Sequence, residues 1–282
     1  MKVAVTGANG LLGQAVVEAA RGAHQVYPLT RAGADITQFS QVHGVLTKLR
    51  PEVIIHTAAI RDLDLCETDP ARAFLVNFHG TRHVVEAARE IGAQVAHIST
   101  DAVFDGKKSS PYSESDPTNP PTVYGRVKLR AERSVQTLPR YWTFRISILF
   151  GPGKVNLVED ALRKVGAGQD VLAPADQTAN ATYAPDAAQK IIEVIESGRH
   201  GLYHLSNQGA CSRWELVRRG VELAGLDAAR VKAVSLAEMG RPAARLHYAV
   251  MEMKALASAG IALPRPWPEA LAEYVEKLMG RK

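Results

Sequence analysis

Three glycines in the string Gly7-Ala8-Asn9-Gly10-Leu11-Leu12-Gly13 follow a β-branched run, Lys2–Thr6, and open an amphipathic pattern that continues to about Arg21. Glycines let the backbone turn sharply and approach a pyrophosphate, and the start of a helix offers free N–H groups with partial positive charge. Gly13 allows the helix to pack closely on the strand. Strand, turn and helix in this order predict a dinucleotide site formed by Gly7, Asn9, Gly10, Leu11, Leu12 and Gly13, in a Rossmann α/β domain.

The pattern along the chain agrees with that start. Short strand runs at Gln25–Leu29, Val53–Thr57, Val95–Ser99 and Thr143–Leu149 alternate with helical stretches at Leu11–Arg21, Phe39–Leu49 and Ala71–Ile91, and with a helix opening near Tyr124. Such alternation predicts a doubly wound parallel sheet. Pro51 stops the second helix, and the prolines between Pro111 and Pro121 mark a loop. After Gly151-Pro152-Gly153 the alternation fades into helices near Leu157–Val165, Pro185–Glu196, Ser212–Ala224 and Pro266–Met279, with short strands such as Leu202–Leu205 and Val231–Ser235. The expected organisation is a cofactor domain over residues 1–150 and a smaller α+β substrate lobe over 151–282, with some segments crossing between them.

Bulk properties exclude several other classes. The 282 residues are 46% hydrophobic and 22% charged, close to globular averages. No apolar run suits a membrane span, and the strand pattern begins too early for a signal peptide, so a cytoplasmic protein is expected. Cys66 and Cys211 lack metal-ligand spacing, and no metal is expected. The net charge of +5 is scattered rather than clustered, which argues against nucleic acid. A homodimer is only a base-rate expectation.

Thr30-Arg31 ends the second strand where an NAD-selective enzyme usually has a carboxylate. A guanidinium there suits a 2′-phosphate, which favours NADPH with NADH as the alternative. Asp35 and Ile36 follow at the adenine edge, and Ala58-Ala59 after the third strand let a cofactor lie against the backbone. Tyr124-Gly125-Arg126-Val127-Lys128 sets a phenol and an ammonium one helical turn apart. The lysine charge is expected to lower the tyrosine pKa, so that the phenol can exchange a proton with a substrate oxygen during hydride transfer. Thr100, ending the fourth strand, is placed to hydrogen-bond a carbonyl oxygen. Arg61 and Arg241 are candidate diphosphate ligands.

The GxxGxxG spacing resembles the extended short-chain dehydrogenase/reductase superfamily. Ser99-Thr100-Asp101-Ala102-Val103-Phe104-Asp105-Gly106, Pro111-Tyr112-Ser113-Glu114-Ser115-Asp116 and Tyr124-Gly125-Arg126-Val127-Lys128-Leu129 resemble the dTDP-4-dehydrorhamnose reductase family. Further matches are Asp64, Glu67, Val76-Asn77, Arg145, Asp176-Gln177, Thr182 and Arg241-Pro242. The resemblance implies NADPH-dependent reduction of a 4-keto sugar nucleotide in dTDP-rhamnose biosynthesis, with catalysis by Thr100, Tyr124 and Lys128. It also implies a cofactor contact at Asn77, and substrate contacts at Asp101, Ala102 and Thr182. Aromatics usual in that family are replaced by Ile60, Ala102 and Ile148, which alters the sugar pocket. Arg145-Ile146-Ser147-Ile148-Leu149-Phe150-Gly151 also resembles the methionine adenosyltransferase regulatory β subunit, a cofactor-binding partner protein. An epimerase or dehydratase with tightly held NAD is the remaining alternative.

Overall fold

The computed structural model describes residues 1–280. Its first half runs β1 (Lys2–Thr6), α1 (Leu11–Ala20), β2 (Gln25–Leu29), α2 (Phe39–Leu49), β3 (Val53–His56), α3 (Leu63–Thr68) and α4 (Pro70–Ala73). A π-helical turn over Phe74–His79 leads into α5 (Gly80–Ile91), then β4 (Gln94–Thr100), a 3-10 turn at Asp101–Val103, α6 (Val123–Val135) and β5 (Tyr141–Ile146). The second half contains β6 (Ile148–Phe150), α7 (Leu157–Gly166), β7 (Val171–Pro174), β8 (Thr178–Ala179), β9 (Ala181–Tyr183), α8 (Ala184–Glu196) and β10 (Gly201–His204). It ends with β11 (Cys211–Ser212), α9 (Arg213–Leu223), β12 (Val231–Val234), β13 (Tyr248–Ala249), α10 (Lys254–Ser258) and α11 (Trp267–Leu278).

Six parallel strands form the central sheet in the order β2-β1-β3-β4-β5-β10. Both faces are covered, and so β3 is buried throughout and β4 at every residue after Gln94. Val3, Val5, Ile55 and Phe144 face α1 and α8 on one side. Ala4, Ile54 and Val95 face α2 and α5 on the other. The strand order reverses between β1 and β3, and ligands of open α/β sheets bind in the crevice beyond the carboxyl ends at such a point.

Three local departures from the sequence reading bear on the site. The strand expected over Thr143–Leu149 is two strands in different sheets: β5 stays in the central sheet, while β6 pairs with β9. Ser147 lies at the break, with its hydroxyl donating to Asp101 Oδ2 (2.5 Å) and its N–H to Thr182 Oγ1 (3.3 Å). The helix expected over Ala71–Ile91 is interrupted by the π turn that carries Asn77. The strand expected at Leu202–Leu205 within the second lobe lies instead in the central sheet as β10, beside β5. The segment Ala184–His204 crosses back to the first half, α8 packing on α1 before β10 closes the sheet edge.

The remaining second-half elements have a core of their own. Phe150, Tyr183 and Tyr274 meet there among Val158, Leu162, Leu216 and Leu271. Among the described residues no helix is long and apolar enough to cross a membrane.

The glycine turn is held by contacts that tolerate no side chain. Gly7 has φ +69°, and a Cβ there would lie 2.7 Å from the Ala58 backbone. A Cβ on Gly13 would run into the Gly7 carbonyl oxygen and come within 2.9 Å of Thr57 Oγ1. Gly13→Ala is expected to cost about 1–3 kcal/mol because backbone must shift to admit the methyl. Urea unfolding measures this, and an unchanged midpoint would show that the strand–helix contact has slack.

Candidate active site

A cleft of about 850 Å³ opens above the carboxyl ends of β1, β3, β4 and β5, lined on one side by Gly10, Leu11, Leu12 and Gly13 and on the other by Thr100, Tyr124, Lys128 and Arg213. At its floor Gly10 starts α1 with extended backbone and no side-chain cap, so the first N–H groups of that helix are left for a ligand. The Gly10 N–H donates to the Gly7 carbonyl (2.8 Å), which sets the turn. Asn9 is exposed at its tip, whereas Leu11 and Leu12 are buried beneath it. Ala59 lies on the cleft wall and Ala58 beneath, against the backbone that crowds Gly7. The uncapped helix start beside this small-residue turn suits a dinucleotide pyrophosphate.

Arg31 stands at the end of β2 with its side chain 78% exposed, and its Nε donates to Asp35 Oδ2 (3.0 Å). Asp35 Oδ1 accepts the Thr37 N–H and hydroxyl (2.9 and 2.8 Å), and these bonds, with Arg31, hold its carboxyl below the usual range. Asp35 thereby orients Arg31. Ile36 is buried against Gly80.

Asn77 and Thr182 are buried and hydrogen-bonded within the protein. Asn77, expected at the cofactor, is buried with its Oδ1 accepting the Ile60 N–H (2.8 Å) and its Nδ2 donating to the Ile60 carbonyl (2.9 Å). It fixes the loop after β3 from behind. Thr182, expected to touch substrate, is 0% exposed and accepts the Ser147 N–H.

Thr100, Tyr124 and Lys128 come together at the cleft. Thr122 caps α6 by accepting the Gly125 N–H (3.1 Å), and Glu67 accepts that of Val123 (3.0 Å). A Cβ on Gly125 would collide with the Ala102 carbonyl oxygen, so glycine lets the helix meet the turn after β4 and sets Tyr124 beside Thr100. The Thr100 hydroxyl donates to Asp101 Oδ1 (2.9 Å) and accepts the Ala102 N–H (3.1 Å). Asp101 is pushed up by burial, against the bonds from Ser147 and Thr100 and the charge of Arg213.

The expected fall in the Tyr124 pKa is reversed. Burial pushes the phenol well above its ordinary value, although its bond with Thr100 and the charge of Arg61 pull the other way. Lys128 is only 2% exposed, and its Nζ donates to the Ile98 carbonyl (2.6 Å). Burial draws this lysine down to about 8, opposed by Glu132. Removal of water is the largest influence on each of the two groups, and it drives both toward their neutral forms.

Tyr124, Lys128 and Glu132 continue along one buried face of α6. Glu132 accepts Arg145 Nε (3.0 Å) and Nη2 (2.8 Å) from β5 and the Ser99 hydroxyl (2.5 Å) from β4. Sequence reasoning missed Glu132, although its place four residues beyond Lys128 was a usable sign. Arg213, whose Nε donates to Gln177 Oε1 (2.9 Å) while its charge faces Asp101, had no comparable local sign.

The expected diphosphate ligands differ in their surroundings. Arg61 is exposed on the cleft wall. Arg241 also lines the cleft but pairs with Asp64 (3.3 Å), which Arg245 grips bidentately (3.0 Å to each oxygen). Ala102 and Ile148 line the cleft, and Ile60 packs below near Tyr124 and Cys66. Among the described residues no group of three or more His, Cys, Asp or Glu is placed to hold a metal.

A glycine cradle at the sheet's reversal point, facing a Thr–Tyr–Lys cluster on β4 and α6, defines an extended short-chain dehydrogenase/reductase. Within that class, the family model described as "RmlD substrate binding domain" matches residues 1–279, and the chain belongs to that family. It is 35% identical to the spore coat polysaccharide biosynthesis protein SpsK of Bacillus subtilis over 98% of this chain and 97% of that protein. It is also 35% identical to the dTDP-4-dehydrorhamnose reductase of Streptomyces griseus, over 98% of this chain and 94% of that one. The crystal structure of dTDP-4-dehydrorhamnose reductase from Bacillus anthracis in complex with NADP superposes with a TM-score of 0.93 at 32% identity, covering 98% of this chain and 99% of that one.

Buried histidines give the fold a pH dependence. Burial draws the His56 and His204 rings down to about 3 and His97 well below the ordinary imidazole value. In the unfolded chain each takes up its proton near pH 6.5, so between about 6.5 and 3 the unfolded state binds more protons and stability falls as pH falls. The slope is about 1.4 kcal/mol per pH unit for each ring. Urea midpoints taken from pH 7 to 4 are expected to drop, with a smaller proton count in His204→Asn. A flat profile would mean that the rings are charged in the folded protein.

Proposed function

We propose that this chain reduces the 4-keto group of a nucleoside-diphosphate 4-keto-6-deoxy sugar with NADPH, as a dTDP-4-dehydrorhamnose reductase of dTDP-rhamnose biosynthesis. The observation that carries this reading is the convergence of Thr100, Tyr124 and Lys128 on the cleft bordered by the glycine turn. The names of the relatives supply the substrate class, and the NADP complex of the Bacillus anthracis enzyme supports the cofactor.

Bound NADPH supplies the hydride. Tyr124, kept protonated by its burial, gives its proton to the substrate's carbonyl oxygen, and the Thr100 hydroxyl orients that oxygen. Lys128 then stabilises the phenolate left behind. Arg31, steadied by Asp35, reads the 2′-phosphate, while Arg61, Arg213 and Arg241 form the cationic side of the cleft facing the sugar diphosphate. Residues 1–150, completed by the returning segment, serve the cofactor, and the rest of 151–282 serves the substrate. Ala102 and Ile148, small or aliphatic on the cleft wall, shape the sugar pocket.

Two measurements follow. Wild-type protein is expected to oxidise NADPH when given dTDP-4-keto-6-deoxyhexose generated in place, and Tyr124→Phe to lose at least about 10²-fold in kcat while binding NADPH as before. Retained turnover in that variant removes Tyr124 from the chemistry, and an inactive wild type that still binds NADPH directs the search to another substrate or a protein partner. Arg31→Ala should raise the Kd for NADPH by about tenfold, from loss of one charge-assisted contact, and leave that for NADH nearly unchanged. Equal weakening of both would assign Arg31 no part in reading the phosphate.

A further inference from the structure

A row of polar side chains crosses the sheet beneath α6. Thr6 on β1, His56 on β3 and His97 on β4 are neighbours in register, and the two imidazole rings stack with centroids 5.5 Å apart. All three are buried, as is Thr143, the neighbour of His97 on β5. The row ends at the active site, where Lys128 Nζ lies 3.2 Å from His97 Nε2.

We propose that His97 is a positioning residue for the reduction: its Nε2 accepts a hydrogen bond from the Lys128 ammonium and holds that charge beneath Tyr124, with His56 packed behind it to fix the ring. The proposal rests on the reading that Lys128 serves Tyr124 as its cation.

Hydrogen-bond directions support the assignment. Thr81 donates its single hydroxyl proton to the Asn77 carbonyl (2.9 Å), so His56 Nε2, 3.1 Å from Thr81 Oγ1, must be the donor of that pair. His56 Nδ1 then accepts from the Thr6 hydroxyl (2.7 Å), and one tautomer is fixed. An ammonium has no lone pair, so charged Lys128 can only donate to His97, which puts the imidazole proton on Nδ1. Of the three ammonium protons, one goes to the Ile98 carbonyl and one to His97, leaving one for the cleft.

The groups facing Lys128 leave His97 as the adjustable acceptor. Tyr124 and Glu132 lie on its own helix, His97 and the Ile98 carbonyl on β4, His56 on β3, and Asp101 on the turn that follows β4. Arg145 on β5 is neutralised by Glu132, and Cys66 of α3 packs at Tyr124. Both histidines stay neutral through the physiological range, because burial and the lysine charge oppose their protonation. Lys128, drawn down to about 8, sits where the loss of one acceptor changes its charge at working pH.

The test titrates Lys128 by lysine-selective ¹³C NMR on the full chain, with the signal assigned by Lys128→Arg. His97→Leu is expected to lower the midpoint by about one pH unit, the worth of one hydrogen bond to a charged group. His97→Gln, whose amide oxygen reaches toward the place of Nε2, is expected to restore most of it. The alkaline limb of kcat/KM should move with the midpoint. Equal midpoints in wild type, Leu and Gln variants overturn the proposal. Should His97→Leu fail to fold, ¹⁵N spectra of histidine-labelled wild type decide: below the Lys128 midpoint, an unprotonated His97 Nε2 supports the proposal and a protonated one overturns it. Neither NMR readout needs substrate, so an error about His97 is separable from an error about the reaction, which shows as a wild type lacking turnover while Lys128 titrates as expected.

Discussion

A carboxylate and a guanidinium buried together, Glu132 on α6 and Arg145 on β5, fasten the catalytic helix to the sheet. Burying two charges is expensive, and their attraction offsets the cost only when geometry is good and remaining hydrogen-bonding capacity is used. Here the guanidinium grips the carboxylate with two nitrogens and Ser99 adds a third bond to Glu132, while Arg145 Nη1 is buried without a hydrogen-bond partner and the Phe104 ring lies 5.1 Å from the guanidinium carbon. Three consecutive features of the site depend on this attachment: the depth of Lys128, the angle at which Tyr124 meets Thr100, and the close seat of Gly125 under Ala102. Loss of either partner would leave the other charged and dry, which costs about 3–5 kcal/mol in comparable pairs.

Dryness then decides the proton chemistry. Along a helix, a lysine four residues from a tyrosine suggests an activated phenolate, but the distance along the helix says nothing about depth. In the fold both groups are withdrawn from water, each is driven toward its neutral form, and the phenol is held as an acid. That state suits a proton donor in a reduction. Thr100, Asp101 and Ser147 extend the same site as a chain of hydrogen bonds from β4 to the break after β5.

Local chemistry was the legible part of the sequence. The glycine turn, the strands around it and the Tyr124–Lys128 spacing each rest on neighbours within a few residues, where steric and periodic rules act directly. What remained hidden was decided across the chain. Asn77 reads as a polar residue near a cofactor, yet Ile60, seventeen residues earlier, takes both ends of its amide. Thr143–Leu149 reads as one strand because no local pattern reveals that Ser147 is drawn toward Asp101 and Thr182. Arg213 comes to Asp101 from another lobe. Arg241 reads as a candidate diphosphate ligand, and only the fold shows that Asp64 pairs with it and with Arg245.

The return of Ala184–His204 to the central sheet has a consequence for how the protein is made. Until residue 204 has left the ribosome, β5 has an open edge, a row of unpaired N–H and C=O groups of the kind that recruits other strands. The face of α1 that α8 covers is likewise bare. The nucleotide-binding half therefore cannot complete its own sheet; its edge is sealed by chain synthesised after the first strands of the second lobe.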